Sequence, residues 1–460
     1  MRPGFPRLAL AVVAVLAATM PVVGPPVSAS ASTPAGTSAL TTAVTRQAIQ
    51  VRMVYTKRHP HNHCRRVAKV ERGGKWVKRC IGRRDHATCQ KRRKLHYHGT
   101  RLHRRCVEPR QVDTPPTGLS PHFGVAYGER LSWMEQDELD ATLDDAVAMG
   151  ITWIRIDLSW RSIERAGPGD WHWTRSDRVI AAAEQRGLAV LPILTYTPDW
   201  AKAPGCTAFG CPPADPTQFV SFARTAVERY QDRIDVWEVW NEPNLVHFWV
   251  QPDSAHYADL LRRTTAGIHE VDPGATVMFG GIAALEGSSK AIPPRRFLDE
   301  VCSLGGCKGI GAVSYHPYTF PFLASQSTPW DSAWSKMNDT KVSLRSILDK
   351  HGLESVRIWV TEYGAPTGGD GDVNGDGDVD TVTSETDHVT EAWQAAIASD
   401  AVRAAAANPD VAAVFWYTNQ DIPWASGAER HFGLRREDGS KKPAWNAWSR
   451  AVEAVRAAAG

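Results

Sequence analysis

Two stretches of the chain put carboxyl groups where an apolar strand should be running out. Val236-Trp237-Glu238-Val239-Trp240 leads into Asn241-Glu242-Pro243-Asn244. Pro243 lacks a backbone donor and stops the ladder there. A second apolar run, from Arg357, ends in Thr361-Glu362-Tyr363-Gly364. Either stretch alone reads equally well as a strand end with solvated polar residues. Together they offer two carboxyl groups to one cavity. Paired carboxyls flanking a bond are what hydrolysis of a glycoside requires: one protonates the leaving oxygen, the other attacks or activates water.

Such a pair needs a scaffold that brings two distant strand ends together. From His122 onward, apolar strand runs alternate with helical spacing. The strands fall at 123–127, 152–160, 189–196, 236–240, 276–282, 310–318, 357–364 and 411–418. Helical patterns follow at 137–149, 176–186, 216–230, 254–271, 295–302, 339–351, 387–407 and 443–455. Eight such units predict an α/β fold, a closed parallel (β/α)8 TIM barrel over 120–458. An open doubly wound sheet is the rival, but no glycine-rich phosphate loop follows the first strand.

Chemistry in such a barrel sits at the carboxyl ends of the strands. Those ends offer Arg155 and Asp157, Thr195 and Tyr196, Asn241 and Glu242, His316 and Tyr318, Glu362, and Trp416. Arg155 favours charge on a neighbouring carboxylate, so it belongs with a nucleophile; its alternative partner is Asp157. An acid that regains its proton between steps should sit closer to solvent.

Asn-Glu-Pro on strand four with Thr-Glu-Tyr-Gly on strand seven resembles the clan A retaining glycoside hydrolases, most of all the cellulase-like families five and thirty-nine. The resemblance covers about residues 120 to 455. It implies Glu242 as general acid/base and Glu362 as nucleophile. It implies sugar contacts from Asn241, Arg155, His316 and Tyr318, with Trp416 beneath the bound ring. The implied activity is retaining cleavage of β-glycosidic bonds in a poly- or oligosaccharide. A non-catalytic polysaccharide-binding protein on the same scaffold is the alternative, and the two intact glutamates argue against it. Of 18 tryptophans, Trp153, Trp237 and Trp359 read as core, whereas Trp200, Trp249, Trp330 and Trp424 occupy loop positions suited to sugar stacking.

The remaining chain is physically different. Residues 51–110 carry 20 Lys and Arg against Glu71, Asp85 and Glu108, a net of +17, while 111–460 carry −17. Residues 1–31 read as a signal peptide: Arg2 and Arg7, an apolar run from Leu8 to Met20, then Ala29-Ser30-Ala31. That run is too short to span a bilayer comfortably, so the mature chain is expected to be secreted with no membrane span. Linkers are expected at 32–50 and 113–119. The basic segment 51–112 has few large apolar residues. It suits disorder or a small fold held by Cys64, Cys80, Cys89 and Cys106. Export favours an anionic cell-wall polymer over nucleic acid as its partner; zinc and docking on the acidic barrel are further readings. Cys206 with Cys211 and Cys302 with Cys307 could staple loops.

One more motif lies after strand seven. Asp372, Asn374, Asp376, Asp378 and Asp380 alternate around glycines, and the spacing resembles the calcium loop of EF-hands and dockerins. The twelfth position is Thr383, so Glu385 would have to reach back. The expectation is one structural calcium ion and no cofactor for catalysis, with a solvated acidic loop as the alternative.

Overall fold

The computed structural model describes residues 121–328, 330–367, 388–425 and 427–459, together with the backbone of five strands between 53 and 109. The expected signal peptide, both linkers and the 372–380 acidic loop lie outside the described residues.

Eight parallel strands close into a barrel: β1 (His122–Gly128), β2 (Trp153–Ser159), β3 (Ala189–Thr195), β4 (Val236–Asn241), β5 (Thr276–Ala283), β6 (Ala312–His316), β7 (Arg357–Tyr363) and β8 (Val411–Tyr417). Each is followed by a helix: α1 (Gln136–Ala148), α2 (Thr174–Glu184), α3 (Pro216–Tyr230), α4 (Ser254–Val271), α5 (Pro294–Ser303), α6 (Leu344–Lys350), α7 (Glu391–Ala406) and α8 (Pro443–Ala459). The closed barrel overturns the open-sheet rival, because β8 pairs with β1.

Local chemistry explains where the helices begin. Asp215 accepts from Thr217 N at 2.9 Å ahead of a proline in the first turn of α3, and Asp253 accepts from Ala255 N at 2.7 Å ahead of α4. Thr390 caps α7 in the same way. The helical pattern expected from residue 339 begins only at Leu344. Ser343 and Ser346 form a reciprocal capping box there, which fixes the first turn five residues later. Among the described residues no helix is long and apolar enough to cross a membrane.

Apolar side chains form two layers. Leu191, Met278, Trp359 and Phe415 fill the barrel interior. Val239, Trp240, Phe279, Tyr315, Tyr363 and Trp416 pack outward with the helices. Strand alternation therefore assigns each residue to a face, and a slip of one residue exchanges the faces.

Disulfides Cys206–Cys211 and Cys302–Cys307 are formed, as the short spacings suggested. The basic segment is not featureless. Cys64–Arg72 pairs antiparallel with Lys75–Arg83, and Cys89–Tyr97 with Thr100–Pro109, which also takes Met53–Tyr55 on its other side. Cys80 lies opposite Val67 and Cys106 opposite Arg92, each three residues on from the first cysteine of its hairpin. The two hairpins thus repeat one register, a duplication that the cysteine spacing alone does not reveal.

Candidate active site

The site is assembled by departures from strand alternation. On β4, Glu238 points inward and Val239 outward; Trp240 then also packs outward, and Asn241 turns inward. Trp240 takes φ 72° and Glu242 φ 43°, in the left-handed region that side chains rarely occupy, and each costs about 1–3 kcal/mol. Trp240 is held there by its indole N–H donating to Phe248 O at 2.9 Å and by Trp249 against its ring. The neighbouring strand shifts at the same level. A Cβ on Gly280 would lie 2.3 Å from the carbonyl oxygens of Val239 and Trp240, so only glycine admits the displaced backbone. On β7 the ladder slips between Val360 and Tyr363, which brings Glu362 inward although Trp359 already points inward.

Those shifts gather six of the expected residues around one centre. Arg155 is buried and central: Nη1 donates to Glu362 Oε1 at 2.6 Å, and Nη2 to Asn241 Oδ1 at 2.9 Å. Its Nε and Nη2 also donate to Glu238, at 2.7 and 2.9 Å. Glu238 was not singled out in the sequence because its neighbours are tryptophan and valine. A fully buried carboxyl inside an apolar strand is nevertheless a signal that a buried cation is near. Asp157 is therefore not the arginine's hydrogen-bonded partner.

Tyr318 donates its hydroxyl to Glu362 Oε2 at 2.9 Å. His316 lies between the two glutamates, with Nδ1 2.8 Å from Glu242 Oε1 and 3.7 Å from Glu362 Oε2. Its Nε2 is 3.0 Å from Thr361 Oγ1, which is itself bonded to Ser314 Oγ. The tautomer sets the direction of this chain: a proton on Nδ1 is donated to Glu242 Oε1 with Thr361 donating to Nε2, and a proton on Nε2 is donated to Thr361 with Nδ1 accepting from protonated Glu242. Burial lowers the His316 pKa, which keeps the ring neutral. Glu242 Oε2 is buried without a partner and is the oxygen left to face a reacting group.

The expectation of one carboxyl nearer to solvent is not met: Glu242 is 4% exposed and Glu362 5%. What separates them is their donors. Burial pushes both carboxyls above the ordinary range; charge on Glu362 adds to the rise at Glu242, and charge on Glu238 adds to the rise at Glu362. Arg155 and Tyr318 hydrogen-bond Glu362 and oppose this there, whereas at Glu242 the hydrogen-bonding partner is His316 and Arg155 acts through its charge alone. These donors favour charge on Glu362 over charge on Glu242. Burial works against the charge on Arg155, but Glu238 and Glu362 outweigh it and raise its pKa. One carboxylate oxygen from each glutamate and one His316 nitrogen lie within 4.8 Å of one another.

Trp416 is a correction. It is fully buried on the outward face of β8, against Trp448 of α8, with its indole N–H donating to Phe432 O at 3.0 Å. It cannot lie beneath a sugar in the barrel mouth. Tyr417, one residue on, faces inward and packs on Phe432. Among the loop tryptophans, Trp249 is fully buried beside Trp240, so it too is core. Trp424 is 48% exposed and stays available to a ligand.

Comparison with known proteins agrees with this architecture. The family model described as "Cellulase (glycosyl hydrolase family 5)" matches residues 112–421. A β-xylosidase of Geobacillus stearothermophilus is 41% identical over 69 residues, which is 14% of this chain and 13% of that relative. A family 39 glycoside hydrolase from Bacteroides cellulosilyticus WH2 superposes with a TM-score of 0.56 at 21% identity, covering 78% of this chain and 69% of the other. A monomeric β-xylosidase from Caulobacter crescentus CB15 gives 0.53 at 20% identity, covering 73% and 68%. At these identities the two solved structures speak for the fold.

Proposed function

The chain belongs to the cellulase family, glycosyl hydrolase family 5, and on that premise we propose that it cleaves β-glycosidic bonds of an oligo- or polysaccharide by double displacement. The observation that carries the reading is the pair of buried carboxyls within 4.8 Å, one held by Arg155 and Tyr318 and the other by neutral His316. Retaining enzymes keep their carboxyls roughly 5–5.5 Å apart, whereas inverting ones leave roughly 6.5–9.5 Å for a water.

In the first step Glu362 attacks the anomeric carbon while Glu242 passes its proton to the leaving oxygen. In the second, Glu242 takes a proton from water, which displaces Glu362 from the sugar. Arg155 and Tyr318 hold the charge on Glu362 before attack, and His316 orients Glu242. Asn241, its carbonyl fixed by Arg155, keeps an amide N–H for a sugar hydroxyl. No metal is required by these steps.

The N-terminal features fit a secreted enzyme whose +17 segment holds it on an anionic cell-wall polymer. The 372–380 loop fits one structural calcium ion.

The test is chemical rescue. With an activated aryl glycoside, azide should restore turnover to Glu362→Ala with inversion at the anomeric carbon, and to Glu242→Ala with retention. The opposite stereochemistry in the two variants would reverse the assignment. A wild-type enzyme inert on a broad panel of aryl glycosides and polysaccharides would favour the binding-protein alternative.

A further inference from the structure

The displaced end of β4 has a second hold, and it comes from a helix. Tyr257 stands in the first turn of α4, fully buried, with Trp249, Phe279 and Phe297 around its ring at centroid distances of 5.8, 5.1 and 5.5 Å. Its hydroxyl lies between β4 and β5. It donates to Val239 O at 2.8 Å and accepts from Gly280 N at 2.8 Å. Burial raises the pKa of the phenol, so the proton needed for the first bond stays in place. Pairing of β5 with β4 runs through Phe279 and Val239, skips Gly280 and Trp240, and resumes at Gly281 and Asn241. The hydroxyl fills the skipped step.

That step is where the site is made. Val239 immediately precedes Trp240, whose left-handed φ of 72° is strained and persists only where the surroundings hold it. On the other strand Gly280 leads into Gly281, which lies against His316 and donates its N–H to Glu238 Oε1 at 2.9 Å. A hydroxyl suits the position because it donates and accepts at once. The helix end that carries it is fixed: Asp253 caps it, and Ser254 Oγ donates to Glu300 Oε2 of α5 at 2.7 Å. Without the hydroxyl, the Gly280 amide and the Val239 carbonyl would each lose a buried partner. The simplest repair is for the two strands to close on each other. Regular alternation from Glu238, an inward residue, would then turn Trp240 inward and Asn241 outward.

We infer that Tyr257 is a positioning residue for the reaction: its hydroxyl, set between β4 and β5, holds the strand displacement that presents Asn241 and Glu242 to the substrate. The expected effect on turnover rests on the double-displacement reading. Tyr257 packs with the helices on the outer side of the barrel, so it touches no substrate. It acts through Asn241, which Arg155 holds at 2.9 Å, and through Glu242, the next residue.

The test is Tyr257→Phe, which keeps the ring and removes only the hydroxyl. On aryl glycosides with a good leaving group, kcat/KM should fall about tenfold, through Asn241. With a poor leaving group it should fall about 10²-fold, because the misplaced Glu242 must then also supply a proton. A role in stability alone would lower the melting temperature and leave the ratio between the two substrates as in the wild type; that result overturns the inference. A crystal structure of the variant reads the same link without turnover. Asn241 should have left its bond with Arg155, and an intact bond overturns the inference whatever the enzyme cleaves. If Tyr257→Phe does not fold, para-aminophenylalanine takes its place at this position, since its amine donates to Val239 but accepts only weakly from Gly280. The ratio between the substrates should then widen about threefold, and an unchanged ratio again overturns the inference. A wild type inert on every glycoside would overturn the hydrolase reading instead, and the Asn241–Arg155 bond would still decide the role of Tyr257.

Discussion

A methyl group added to Gly281 tests whether the His316 ring governs acid catalysis. A Cβ at this position would stand 2.3 Å from His316 Nε2, 2.6 Å from Cε1 and 3.2 Å from Glu238 Oε1. Non-bonded contacts settle at about 3.5 Å, so the ring must retreat by roughly 1 Å. That movement breaks the 3.0 Å bond to Thr361 and misplaces the 2.8 Å bond to Glu242. A misplacement of about 1 Å at a reacting group costs roughly 10²-fold, or about 2.7 kcal/mol of barrier. Overpacking should lower stability by about 1–3 kcal/mol, which a melting curve measures separately. The assay is kcat/KM for Gly281→Ala on aryl glycosides with good and poor leaving groups. The loss should be larger with the poor leaving group, because only that reaction needs the proton from Glu242. In a His316→Ala background the added methyl has no ring to meet, so Gly281→Ala should cost little more. Full activity in the single variant, or an additive loss in the double variant, would refute the steric chain from Gly281 to Glu242.

Three other expectations follow from the same site and from the rest of the chain. Tyr318→Phe removes a donor to Glu362 and raises its pKa; because the ionised form attacks, the acid limb of the pH profile should move to higher pH, and an unmoved limb would contradict the role. Deleting 32–110 should leave turnover of small soluble substrates intact and weaken retention on an anionic surface, most clearly at low salt; lost turnover would mean that the segment docks on the barrel. If the 372–380 loop holds calcium, the wild-type melting temperature should rise with the ion and Asp376→Ala should not respond; identical melting in chelator and calcium would leave a solvated acidic turn.

The barrel was legible because each unit repeats two strong signals, an apolar strand run and a capped helical stripe. Helices α3 and α4 begin and end where their proline, aspartate and apolar spacing put them. The glutamates stood out because a charged side chain at the end of an apolar strand contributes nothing to packing. Facing was harder to read. Trp416 was assigned to the mouth when alternation from Phe415, an inward residue, gives Tyr417 instead. On β4 and β7 alternation itself fails, at Trp240 and near Thr361, and neither residue type announces a backbone shift. Gly280 and Gly281 were visible as a pair, but their meaning depends on a carbonyl and an imidazole from adjacent strands. Glu238 was hidden by its apolar neighbours, and Trp249 looked exposed because a loop position says nothing about what folds over it.

Arg155 has two carboxylate partners, Glu238 and Glu362, and that double pairing bears on how such a protein could change over time. A buried arginine left without an anion destabilises a fold by about 3–5 kcal/mol, which usually makes its partner irreplaceable. Here the loss of Glu362 would still leave the guanidinium paired with Glu238. A lineage could therefore abandon bond cleavage by one substitution and keep its barrel, its mouth and its affinity for sugars. The passage from hydrolase to carbohydrate receptor is open in this chain at Glu362, because Glu238 keeps the buried guanidinium paired.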